Sequence, residues 1–297
     1  MPTDDPLPDL IRTLRCKSPI DRVRAAKDLG RLGWLARDAM PALVTALKDD
    51  DAKVREAAAQ AVGQMGPDAL PALVAMLDHT DKYVRRNAVW ALGKLGPAAR
   101  VALRDLCQAL KDADPRTASG AAQALGNMGA DGAEAVPQLA EAMRGTNIVL
   151  CRLAAKALSQ IGPPALATLI AHLQHTDPFV RGESALALGW MGPAARSAVP
   201  FLAHVVRGPR AFDTRCASSN AASGAVSSGA ATPAVIPPPD ASGSSEDNCR
   251  VYAAQALGRI GPAAARALSD LQDATRHGGT ALRAAAEQAI RMVQGQE

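Results

Sequence analysis

DKYVRRNAVWALGKLGP, residues Asp81–Pro97, reads as one amphipathic helix with its stop signal attached. Asp81 suits the N-cap, where a carboxylate accepts hydrogen bonds from free backbone N–H groups and favours the positive helix end. Val84, Ala88, Leu92 and Leu95 recur at three- or four-residue spacing and so share one buried stripe. Gly96 suits the left-handed position past the C-terminus, and Pro97 lacks the donor that would continue the helix.

The stretch is repeated. DDAKVREAAAQAVGQMGP (Asp50–Pro67), DPFVRGESALALGWMGP (Asp177–Pro193) and DNCRVYAAQALGRIGP (Asp247–Pro262) are close copies. Aligning the chain on the Leu-Gly step places Gly30, Gly63, Gly93, Gly126, Ser159, Gly189, Gly258 and Arg291 in one column, spaced by 33, 30, 33, 33, 30, 69 and 33 residues. A second signature falls between the copies: MPALVTAL from Met40, LPALVAML from Leu70, VPQLAEAM from Val136 and VPFLAHVV from Val199. Proline is tolerated there because the first turn of a helix has no internal partner for that N–H. The pattern predicts an all-α fold, an α-α superhelix of about eight two-helix repeats, each an outer helix A and an inner helix B.

Composition agrees. Of 297 residues 48% are hydrophobic and only 3% aromatic, so small side chains let helices stack closely. The formal net charge is +4, from 33 basic and 29 acidic residues, too even a balance for a strongly electrostatic nucleic-acid binder. The five cysteines show no C-x-x-C spacing and are odd in number, which indicates neither a zinc knuckle nor a disulfide framework. Cys107 and Cys151 fall within helical segments and read as small buried thiols. The opening MPTDDPLPDLIRTLR has no apolar core, and no apolar run approaches the roughly 18 residues of a membrane span. The expectation is a soluble cytoplasmic protein.

The recurring pattern D-x-x-V-R-x-x-A-A-x-A-L-G-x-x-G-P resembles HEAT repeats, of the short bacterial type also seen in phycobilisome-lyase-like proteins. The resemblance implies one α-α solenoid over residues 1–297, with B helices lining a concave face that holds a partner. It implies no particular chemistry, because such a fold serves many tasks. The stretch at about 207–246 departs from the pattern: it is rich in Ser, Gly, Ala and Pro and lengthens the seventh repeat by 36 residues. Such a composition cannot offset its ordering entropy, so a disordered insertion is expected. It reads either as a tolerated insertion or as an arm that docks a partner through AVIPPP, Ala234–Pro239.

Stacking turns equivalent positions into columns. One holds Arg22, Arg55, Arg85, Ala118, Cys151, Arg181, Arg250 and Arg283; another, four residues earlier, holds Ser18, Asp51, Asp81, Asp114, Asn147, Asp177, Glu246 and Gly279. They read as a structural ladder in which each arginine bridges its own or a neighbouring acidic cap, as HEAT-like families are expected to do. A second set points outward from the B helices. In the third repeat it is Tyr83, Arg86, Trp90 and Lys94, in the fourth Arg116, Ser119, Gln123 and Asn127, in the fifth Val149, Arg152, Lys156 and Gln160, and in the sixth Phe179, Gly182, Leu186 and Trp190. Four of the eight aromatics in the chain occur there with cations between them, which a merely solvated face does not require. The alternative is that Phe179 and Trp190 pack in seams between repeats or under the long loop.

No catalytic constellation is visible. His79, His172, His175, His204 and His277 are not completed into a metal set, and repeated His-Glu steps, as in iron-binding HEAT hydroxylases, are absent. There is no G-x-S-x-G, P-loop or dinucleotide fingerprint, and the many glycines read as helix ends. The sequence therefore points to a non-catalytic scaffold without metal or cofactor. It would bind a protein or peptide, the cations favouring an acidic one, through Tyr83, Arg86, Trp90, Lys94, Arg152, Lys156, Phe179 and Trp190. Two alternatives stand beside it. One is a phycobilin-lyase-like subunit that needs a second chain. The other is a DNA binder that places Arg86, Lys94, Arg116, Arg152 and Lys156 on phosphates.

Overall fold

A computed structural model describes residues 6–208 and 245–295. Among them sixteen α-helices follow one another in pairs, with short 3₁₀ turns between pairs and no strand. The first five pairs are α1 (Leu7–Thr13) with α2 (Pro19–Leu32), α3 (Met40–Ala46) with α4 (Ala52–Met65), α5 (Leu70–Leu77) with α6 (Lys82–Leu95), α7 (Leu103–Ala109) with α8 (Pro115–Asn127), and α9 (Val136–Met143) with α10 (Ile148–Ile161). The last three are α11 (Leu166–His172) with α12 (Pro178–Met191), α13 (Val199–Arg207) with α14 (Ser245–Ile260), and α15 (Leu268–His277) with α16 (Thr280–Val293). Odd-numbered helices are the A helices and even-numbered ones the B helices, so the eight expected repeats are present.

The helices gather into two compact units, Met1–Thr168 and Leu169–Glu297. In the first unit α2, α4, α6, α8 and α10 pack side by side in chain order, each also against its own A helix. In the second, α12, α14 and α16 pack side by side in chain order, α14 against α13 and α16 against α15 as well. The expected insertion at 207–246 is trimmed at both ends, since Arg207 closes α13 and Ser245 opens α14. Arg207 is also tied down, its Nε 2.9 Å from Asp270. Residues 209–244 of that insertion, with Ala234–Pro239, lie outside the described residues.

Local chemistry explains the boundaries. Asp81 caps α6 by accepting from the Tyr83 N–H at 2.8 Å, and Ser18, Asp51, Asp114, Asn147 and Asp177 cap their own B helices in the same way. Gly96 ends α6 at a φ of 54°, a backbone state that a side chain would strain. The alternation of 33 and 30 residues arises in the turn that follows. It is a seven-residue 3₁₀ segment at Gly33–Ala39 and Gly96–Ala102 but only three residues at Pro67–Ala69 and Pro163–Ala165.

The glycines of the Leu-Gly column are not helix ends, as the sequence suggested, but lie inside the B helices. There they permit close approach of the next B helix. A Cβ at Gly126 would come within 2.8 Å of the Ala157 Cα, one at Gly189 within 2.9 Å of the Ala256 Cα, and one at Gly258 within 3.0 Å of the Ala289 Cα. In the last described pair Arg291 stands exposed at the glycine position. Gly93 is roomier, with its nearest neighbour, Ala124, at 3.4 Å.

This contrast is testable by thermal unfolding. Alanine gains about 1 kcal/mol over glycine in a helix, but overpacking against a rigid backbone costs about 1–3 kcal/mol. Gly126→Ala should therefore lower the melting temperature, whereas Gly93→Ala should leave it unchanged or raise it. Equal behaviour of the two would refute the close-approach explanation.

Candidate functional site

The arginine ladder forms, but with acceptors other than the expected caps. Arg22 donates through Nε and Nη2 to Asp49, at 2.8 and 2.7 Å, and Arg85 does the same to Asp112, at 2.6 and 2.9 Å. Asp49 and Asp112 stand two residues before the caps Asp51 and Asp114, in the turn between helices A and B. Asp51, Asp81 and Asp177 are occupied by the N–H groups of their own helices, whereas Asp49 and Asp112 can do two things at once. Each accepts from the cap's backbone N–H, at 2.9 and 2.7 Å, and still presents both oxygens to the preceding repeat's arginine. Burial alone would raise the Asp49 and Asp112 carboxyls. The arginine and backbone hydrogen bonds outweigh it and hold both below the usual carboxylate range.

The rest of the column is uneven. Arg181 pairs with Glu246, the one place among the described residues where the arginine column meets the cap column as expected. Among the described residues the side chains of Arg55, Arg250 and Arg283 hydrogen-bond only to backbone carbonyls. Cys151 takes the arginine's place in the fifth pair, and its buried thiol donates to the Gly145 carbonyl at 3.2 Å. Cys107 is only half-buried.

In the first unit the B helices α4, α6, α8 and α10 enclose a groove of about 790 Å³. Tyr83, Arg86, Trp90 and Lys94 of α6 line its middle. Arg55 and Glu56 come from α4, Arg116, Ser119, Gln123 and Asn127 from α8, and Val149 and Leu153 from α10. Of the residues proposed from sequence, the structure thus gathers the four of α6. Arg152 and Lys156 are exposed but are not lining residues, and Phe179 and Trp190 belong to the second unit. Phe179 is half-buried and Trp190 exposed. Arg55, assigned to the ladder from sequence, also faces the groove.

The charges in the groove are arranged, not scattered. Arg86, expected to point outward, forms a bidentate pair with Asp114 on the neighbouring helix. Asp114 also accepts from the Thr117 N–H and hydroxyl, each at 2.9 Å. The Arg86 hydrogen bond, helped by Thr117 and opposed by burial, holds the Asp114 carboxyl far below its ordinary value. The Tyr83 ring lies among three cations, with Arg55, Arg86 and Lys82 at 4.8, 5.1 and 5.4 Å from its centroid. Lys94 sits 4.9 Å from the Trp90 ring. Both rings are substantially open, Tyr83 43% and Trp90 40% exposed. The lining holds four cations and one carboxylate, and Arg55, Lys94 and Arg116 have no carboxylate partner among the described residues.

Among the described residues no three His, Cys, Asp or Glu gather as metal ligands, and no helix is long and apolar enough to cross a membrane. The Cys249 thiol is pushed up to about 11, chiefly by burial.

Comparison with known proteins gives a family. A family model described as HEAT repeats matches residues 7–81, 70–159 and 136–221, more than half of the chain. Among solved structures, human deoxyhypusine hydroxylase in complex with glycerol is 24% identical over 97% of this chain and 96% of its own, with a TM-score of 0.38. The complex of CpcE and CpcF of phycocyanin lyase from Nostoc sp. PCC7120 is 22% identical over 89% and 92%, with a TM-score of 0.41. No curated protein matches the sequence.

The Arg86–Asp114 pair sets a pH dependence. A carboxyl whose folded pKa is depressed adds stability that is full above its unfolded pKa, about 3.9, and is lost as pH falls through the folded value. Asp114→Asn should cost about 2 kcal/mol at neutral pH. The difference from wild type should narrow below about pH 4. Urea unfolding across that range would measure it, and a gap that stays constant into acid would contradict the assignment.

Proposed function

We propose, from the premise that this chain belongs to the family of HEAT repeat proteins, that it is a non-catalytic scaffold holding an acidic segment of a partner protein in the groove of α4, α6, α8 and α10. The observation that carries the reading is the lining itself, two open aromatic rings beside Arg55 and Lys94, which form no salt bridge among the described residues. Tyr and Trp give large contact area at small entropic cost and, with Arg, dominate protein–protein hot spots. Arg and Lys supply the charge complement that selects an acidic partner and rejects a basic one.

The same cations argue against stacked nucleic-acid bases. A base on Tyr83 or Trp90 would have to displace the guanidinium or ammonium groups that already stand over those rings. The mild overall charge points the same way.

A fluorescently labelled, Glu-rich peptide with blocked ends serves as the probe, read by anisotropy. Trp90→Ala should weaken its binding by at least about tenfold, as expected for loss of a hot-spot residue. The far-UV circular dichroism should not change, because Trp90 lies on the groove surface. Wild-type affinity in the variant, or tighter binding of single-stranded RNA than of the peptide, would overturn the reading.

A further inference from the structure

Arg22, Arg55 and Arg85 hold equivalent places on α2, α4 and α6, and one edge of each guanidinium is planted alike. Nη1 of Arg22 donates to the Cys16 and Lys17 carbonyls at 3.0 and 3.2 Å. Nη1 of Arg55 reaches those of Asp49 and Asp50 at 2.6 and 3.0 Å, and Nη1 of Arg85 those of His79 and Thr80 at 2.8 and 3.0 Å. The other edge, Nε and Nη2, is where the three differ. For Arg22 and Arg85 it meets Asp49 and Asp112 of the following pair.

For Arg55 the matching residue, two before the cap Asp81, is His79. His79 performs half of the aspartate's work, since its Nδ1 accepts the Asp81 N–H at 3.0 Å. It cannot perform the other half, because an imidazole in either protonation state offers no anion. Among the described residues Nε and Nη2 of Arg55 therefore hold no hydrogen bond. The half-buried guanidinium instead lies 4.8 Å from the Tyr83 ring centroid, at the groove.

Building on the reading of this groove as the site of an acidic segment, we propose that Arg55 is the residue that receives a side-chain carboxylate of that segment, and that His79, standing where the ladder has Asp, keeps it available to do so. The free edge is a two-donor fork that matches a carboxylate. Its plane is fixed beforehand by the Nη1 bonds and the Tyr83 ring, so little freedom is lost on binding. One replacement in a turn thus turns a structural arginine into a specificity determinant.

The test uses the full chain and the same blocked Glu-rich peptide. Arg55→Gln should weaken binding by about tenfold, in line with loss of a bidentate charged contact. His79→Asp restores the acceptor that Asp49 and Asp112 provide and keeps a partner for the Asp81 N–H. It should capture Arg55, weaken the peptide by a similar factor and raise the thermal midpoint. The double variant should bind no worse than Arg55→Gln alone, because the two changes remove one contact.

A further loss in the double variant would show that the carboxylate introduced by His79→Asp acts only as bulk charge, and would overturn the proposal. Wild-type affinity in either single variant would overturn it too, and Arg55→Gln alone decides the matter if His79→Asp does not fold. Failure of the wild-type chain to bind the peptide would overturn the groove reading, and this assignment with it. An unchanged Arg55→Gln variant overturns only the role of Arg55.

Discussion

Within each unit the distance between successive B helices is the constraint from which the rest follows. Gly126 and Gly189 each face an alanine backbone of the next B helix so closely that even a methyl group would not fit. At the α2–α4 and α6–α8 seams, where a Cβ at Gly30 would lie 3.0 Å from the Ala61 Cα and one at Gly93 3.4 Å from the Ala124 Cα, the spacing brings a guanidinium on one B helix within bonding range of a carboxylate in the next pair's turn. A wider spacing would leave the Arg22–Asp49 and Arg85–Asp112 pairs unmade and their charges poorly compensated. Close approach also brings Arg86 to Asp114 and Arg55 to the Tyr83 ring.

Electrostatics and capping are carried by the same few atoms. Asp49 and Asp112 each fix the entry to a B helix through a backbone N–H and lock the preceding B helix through an arginine. Asp114 departs from the other caps because it serves its own helix through Thr117 and a neighbour through Arg86. Where a residue of the wrong chemistry stands in the column, the structure finds a smaller substitute. Cys151 replaces an arginine and keeps a bond to the turn carbonyl but provides no charge, and His79 replaces an aspartate and keeps the cap contact alone.

Parts of the groove were legible in the chain and parts were not. Tyr83, Trp90 and Lys94 were legible because aromatic and basic side chains at outward offsets stand out against the Lys53, Glu56, Gln60 and Gln64 of the preceding repeat. Arg86 was legible as a groove residue but not as half of an ion pair, since its partner lies 28 positions away on another helix. Arg55 was hidden in the opposite sense: its column announced a ladder residue, and the missing carboxylate at position 79 was the signal that it was something more. Val149 was legible by its outward offset, whereas Leu153 joins the lining although nothing in its local pattern marks it.

The sequence by itself determined the all-α repeat, the helix pairs, their caps and terminating glycines, and the buried stripe. Each depends on neighbours within about one turn or on strict periodicity, which a linear chain displays directly. Tertiary structure alone decided which carboxylate each arginine meets, and that the Leu-Gly glycines serve interhelical contact and not helix ends. It also gathered α6 with Arg55, Arg116 and Val149 into one groove, while Phe179 and Trp190 fell in another unit. Those outcomes depend on ångström-scale distances between helices, set by close packing that a repeat pattern implies without specifying.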